Sequence, residues 1–242
     1  MIAYLLRRQL CYDISLHSDI ELTKEVFPKI KDKRIIQDSP VYDHISSFAF
    51  PEYPVIARQG TERVLGDTRS YAHRIRQNRC LIPVTGTYEH RAIQGWAKKV
   101  PYYIWPKDRK MQFLPGLFQI IETTGPAGEK RQSASFGMLT RTANELMANI
   151  HNDGEFRHRM PLHLTPELES FWVSEHLTDD DLQVVFDYML PAEALDCHPV
   201  FSIRDKKPRP DGKPKFKFWR YENLPPLGDD KSSESQLSIF NI

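Results

Sequence analysis

The chain has 242 residues, 40% hydrophobic and 11% aromatic, with a formal net charge of +1. This composition supports a sizeable core and argues against disorder; the near-neutral total argues against coating by nucleic acid over the whole surface but leaves room for a local basic groove. Its three cysteines, Cys11, Cys80 and Cys197, form no CxxC pair, so neither a zinc ribbon nor a disulfide scaffold is indicated, and no apolar run approaches the ~20 residues that span a bilayer.

Free thiols fit a reducing compartment. The opening "MIAYLLRRQL" is too short for a signal peptide, and its charges follow its apolar run. A soluble cytoplasmic protein is expected, with no membrane partner, cofactor or metal.

In chain order, residues 11–16 read as a strand. "SDIELTKEVF" reads as a helix with Ser18 as N-cap and Glu21 three residues on. Residues 28–42 are loop-like, and the prolines of "FAFPEYPVIAR" keep that stretch extended. Six arginines then lie between Arg58 and Arg79. They suit either a solvated helix or loop, or a surface contacting phosphates, with Arg58, Arg74, Arg76 and Arg79 as the candidate contacts.

The middle of the chain is rich in strand signals: "CLIPVTGTYEH", "PYYIWP", "QFLPGLFQIIET" and "SASFGMLTRTA" are apolar or aromatic runs separated by Gly, Pro or charge. "TANELMANIH" reads as a helix capped by Thr142, with Glu145 completing a capping box. "TPELESFWV", opened by proline, and "TDDDLQVVFDYML" are two more helices. "HPVFSI" returns to strand, followed by a basic stretch over residues 204–217 and a polar tail. The pattern predicts an α+β fold with a mainly antiparallel, barrel-like β core and a few flanking helices.

Three residues could carry chemistry: Cys11 near the start, Glu89 in "GTYEH" and His151 at the end of "ANIH". Each has an ordinary alternative. A lone cysteine is often a small buried hydrophobe, a strand glutamate an exposed one, and a histidine ending a helix a partner for its dipole. A cysteine with a distant histidine also suits a cysteine hydrolase.

Taken together and in order, "CYDIS", "RCLIPVTGTYEH", "PYYIW", "GLFQ", "LTRTANELMANIHN", "RMPLHL" and "HPVFSIRDKKPRPDG" resemble the SOS response-associated peptidase (SRAP) family over most of residues 11–225. The resemblance implies covalent capture of abasic sites in single-stranded DNA by a cysteine at the N-terminus. Cys11 is then the crosslinking nucleophile, Glu89 the proton-transfer residue and His151 its partner in opening the sugar, with Thr140 and Arg159 near the DNA backbone. It also implies removal of residues ahead of the cysteine.

Two departures from the family pattern stand out. The family's "WG…P.W" and "NAR.ET" segments are absent, so its site Asn has no match; Gln59 or Ile56 occupies the place, depending on the alignment. Ten residues also precede Cys11. Translation starting at the Leu10 codon would make the cysteine residue two; residues 1–10 would otherwise be a cleaved propeptide, or a retained extension that prevents crosslinking.

The domain is expected over 11–227, with 1–10 an extension and 228–242 a flexible tail. That tail ends in "QLSIF", resembling a bacterial sliding-clamp-binding peptide through Gln236, Leu237 and Phe240. Replacing Leu237 and Phe240 together by Ala is expected to abolish capture of the clamp in a pull-down; undiminished capture would exclude this role. A peptide-cleaving cysteine peptidase and a non-catalytic DNA- or clamp-binding relative are the competing functional classes.

Overall fold

The computed structural model describes residues 13–17, 42–46, 59–124, 128–204 and 208–230. In chain order the elements are β1 (Asp13–Leu16), β2 (Tyr42–Ser46), β3 (Gln59–Gly60), α1 (Thr61–Leu65), α2 (Tyr71–Arg74), β4 (Arg79–Val84), β5 (Gly86–Arg91), β6 (Val100–Pro106), β7 (Gln112–Thr124) and β8 (Lys130–Thr142). There follow α3 (Glu145–Ile150), β9 (Arg159–Pro161), α4 (Pro166–Trp172), α5 (Asp179–Asp187), a 3-10 turn (Ala192–Ala194) and β10 (Leu195–Pro199). Cys11, Arg58 and the 236–240 peptide, like the expected Ser18-capped helix, lie outside the described residues.

The expected α+β class is what the chain adopts. One sheet has the order β10-β6-β5-β1-β2; the other runs β3-β8-β7-β4, with β9 added on β8. Among the described residues every strand pairing is antiparallel except β3 with β8. The sheets meet where β4 passes into β5: Thr85 N–H donates to Ser15 O of β1 at 2.9 Å. Ile14 of β1 packs there with Ile82, Val84, Leu114 and Met138 of the second sheet, burying one apolar face of each.

Gly86 opens β5 because nothing larger fits: a Cβ at this position would stand 2.4 Å from Tyr103 Cζ. The tyrosine is held there by its hydroxyl, which accepts from Ser15 at 3.1 Å. This close approach is the physical content of the glycine in "GTYEH".

The helices follow their caps. Thr165 caps α4, with Pro166 at its first turn, and Thr178 forms a reciprocal capping box with Asp181 on α5. They close a core in which Trp172 is fully buried and its indole N–H donates to Cys80 O at 2.9 Å.

Several boundaries differ from the sequence reading: β2 opens at Tyr42, in a stretch expected to be loop-like, β10 covers Leu195–Pro199 instead of starting at His198, and two further differences have a visible cause. The cap of α3 is Asn144, whose side chain accepts from Met147 N–H at 3.0 Å, because Thr142 is the last residue of β8 and pairs with Arg159. The domain also continues past residue 227. Gln94 N–H donates to Asp230 O at 2.8 Å, and the Asp230 carboxylate pairs at 2.7 Å with Arg91, whose side chain is fully buried. An arginine buried this deeply requires acceptors, and residues 225–230 supply most of them.

Candidate functional site

Side chains alternate along β5, so Thr87, Glu89 and Arg91 share one face. Glu89 is 4% exposed and lies opposite Tyr102 of β6. Tyr102 packs with Met147 and Ile150 of α3 and with Met160 of β9. Glu89 is therefore a carboxyl group on the sheet face that α3 covers, and the alternative of an exposed strand glutamate does not hold.

His151 is the residue at which α3 stops. Its backbone N–H donates to Met147 O at 2.7 Å, and its own carbonyl accepts from His158 N–H, also at 2.7 Å. The ring Nδ1 lies 3.0 Å from Arg159 O. A carbonyl can only accept, so Nδ1 carries the proton and Nε2 holds the lone pair of the neutral ring. The next residue, Asn152, ties this corner to the end of β5: its side chain accepts from Ala92 N–H at 2.8 Å and donates to Ala92 O at 2.9 Å. The strand of Glu89 and the corner of His151 are thus joined directly.

Arg159 leads into β9, and its guanidinium donates to Thr140 O at 2.9 Å and to Thr140 Oγ1 at 3.2 Å. Thr140 is 1% exposed. Its contacts hold the Arg159 guanidinium in place.

Among the arginines of the basic run, Arg79 donates to Trp172 O at 2.8 Å, to Ser174 O at 2.6 Å and to Gln77 at 2.6 Å. Arg76 pairs with Asp179 at 2.8 Å and donates to His73 O at 3.0 Å. Both spend donors on fastening this segment to the second sheet's helices. Arg74 is exposed beside the Tyr71 ring and keeps its charge toward solvent.

Burial pushes the Cys80 thiol up to about 12 and that of Cys197, reinforced by Asp196, up to about 11. Neither forms a thiolate readily near neutral pH. Among the described residues, no group of three His, Cys, Asp or Glu side chains is placed to hold a metal ion.

Sequence reasoning missed Arg91, Asn152 and Asp230, which connect the strand of Glu89, the corner of His151 and the C-terminal segment. Arg91 directly follows one quoted motif and Asn152 ends another, but only their placement across the fold reveals the connection.

The family model described as SOS response associated peptidase (SRAP) matches residues 54–203, and the chain belongs to this family. Among solved structures, a protein from Bacteroides thetaiotaomicron is similar at 23% identity and a TM-score of 0.66, covering 84% of this chain and 97% of its own. A phage-related protein from Bordetella bronchiseptica is similar at 18% identity and a TM-score of 0.52, covering 78% and 94%. Both likenesses establish a shared fold. No curated protein matches the chain.

Proposed function

We propose that this protein captures abasic sites in single-stranded DNA through a Cys11 that has become the N-terminal residue. The observation that carries this reading is the start of β1. Asp13 pairs with Tyr88, the neighbour of Glu89, and only Tyr12 lies between Asp13 and Cys11. Two residue steps span at most ~7 Å, a reach that would keep Cys11 near the Glu89 strand.

The chemistry needs both groups of an N-terminal cysteine. Its α-amine, with an ordinary pKa of about 7.7–8.0, is partly neutral near pH 7 and adds to the aldehyde of the ring-opened sugar. Loss of water gives an imine. The thiol sulfur then bonds to the imine carbon, its proton passes to the nitrogen, and a thiazolidine ring closes. Glu89 serves as the proton carrier for ring opening and dehydration, and His151 assists at the sugar oxygen.

An amine locked in the Leu10–Cys11 peptide bond cannot take part. If translation starts at the Leu10 codon, hydrolytic removal of the initiator Met frees the amine; otherwise hydrolysis of the Leu10–Cys11 bond is the peptidase step consistent with the family's name. Arg159, Arg74 and Arg58 would hold phosphates without reading base sequence. The tail peptide of Gln236, Leu237 and Phe240 would bring the protein to a sliding clamp on nucleoid DNA.

A chain beginning at Cys11 is expected to give a heat-stable shifted band with single-stranded DNA bearing an abasic site. A chain retaining residues 1–10 without processing is expected to give none. A band of equal strength from both would contradict the role of the free amine; its absence from both would point to a non-catalytic binding protein.

A further inference from the structure

The hydrogen bonds around Asp230 do more than end the domain. Arg91 lies two residues after Glu89 on the same strand face, and its guanidinium meets five acceptors: Tyr102 Oη, Pro225 O, Pro226 O, Asp229 O and Asp230 Oδ1. Four of these belong to residues 225–230, which form a strap over the end of β5. The other carboxylate oxygen of Asp230 accepts from Asn152 Nδ2 at 2.9 Å. Asn152 follows His151 and also grips both backbone groups of Ala92. One carboxylate thus bridges the strand of Glu89 and the corner of His151.

We propose that Asp230 is a positioning residue, fixing the separation of Glu89 and His151 by joining Arg91 to Asn152, so that the C-terminal strap forms part of the site's frame. This rests on the reading of Glu89 and His151 as the acid–base pair. Its physical basis is that a misplacement of about 1 Å at a reacting group can cost about 10²-fold in rate.

The test uses the full chain from Cys11 onward and three variants. Asp230→Ala removes both arms. Asp230→Asn keeps an acceptor for Arg91 but presents a donor to Asn152. Asp153→Ala is the control, since Asp153 is exposed and pairs at the surface with Lys99. Single-turnover crosslinking measured against DNA concentration should show a maximal rate lowered about 10- to 100-fold in Asp230→Ala, with half-saturation and the control unchanged. Asp230→Asn should fall in between. The His151 imidazole resonances should shift in both Asp230 variants and stay in place in the control.

A maximal rate unchanged in a folded Asp230→Ala overturns the proposal, as does a loss confined to half-saturation. If the parent chain forms no crosslink, the functional reading has failed separately. The imidazole resonances then decide on positioning alone: a shift supports the bridge, and unmoved resonances overturn it.

Discussion

Replacing Glu89 by Gln in a chain that begins at Cys11 is expected to slow crosslinking about 10²- to 10⁴-fold, the range that a positioned proton-transfer group supplies. Gln matches Glu in shape and keeps hydrogen-bonding capacity, so the packing against Tyr102 and α3 should survive. What it lacks is a proton to give and take in that role. Glu89 is 4% exposed, so bulk water is poorly placed to substitute. Single-turnover crosslinking and a thermal melt on the same sample separate the alternatives. A structural glutamate would lower the melting temperature and spare the rate; the catalytic reading requires the reverse. His151→Gln should share the kinetic phenotype, since the proposed chemistry has both residues acting on the same sugar.

The second large effect is on stability against pH, and it arises away from this site. His163 is 1% exposed, and its ring Nδ1 meets Gln112 Oε1 at 2.6 Å. Burial, reinforced by the nearby Arg109 charge, pushes its pKa down to about 3. The folded chain therefore excludes a proton that the unfolded chain binds below about 6.5. Stability from His163 is present above that pH and is lost as pH falls toward 3, by up to about 5 kcal/mol.

Glu169 acts with the opposite sign. Burial raises its pKa to about 6 despite the pairing with Arg109 at 2.7 Å and the hydrogen bond from Phe113 N–H at 2.9 Å. Its contribution is present below about 4.5 and lost as pH rises through about 6, amounting to about 2 kcal/mol. The two slopes oppose each other between about pH 4.5 and 6 and leave His163 alone below that. Urea titrations across pH 3–7 should therefore show a net fall on acidification that steepens below about pH 4.5. In His163→Asn, which keeps a donor for Gln112, that acid loss should shrink. An unchanged acid limb would contradict the assignment.

Much of this architecture was legible because it is written in local signals. Aromatic and branched runs bounded by Gly and Pro gave β5, β6 and the long β7–β8 pair, and "TPELESFWV" and "TDDDLQVVFDYML" announced their helices, whereas β2 begins in a stretch that reads as loop. Thr142 misled because two caps competed. The residue has the right chemistry for a capping box, but pairing with Arg159 keeps it in the sheet and hands the cap to Asn144.

Within the site, Glu89 and His151 could be singled out as types of residue, yet nothing local says that one strand and one helix end are held together. That information resides in Arg91, Asn152 and Asp230, which lie as much as 139 positions apart and become neighbours only through the fold. The same limit applies to Arg76 and Arg79. Composition makes them phosphate candidates, and only their contacts with Asp179, Trp172 and Ser174 show how many of their donors are already engaged.

The account rests on a free amine at Cys11, and the most direct measurement is the location of the adduct. A chain verified by mass to begin at Cys11 is reacted with abasic single-stranded DNA, digested with nuclease and protease, and analysed by tandem mass spectrometry. The account predicts the sugar remnant on the peptide beginning CYDIS, with both the amine and the sulfur of Cys11 consumed. A remnant on a lysine, or on the sulfur alone with the amine still free, would contradict it.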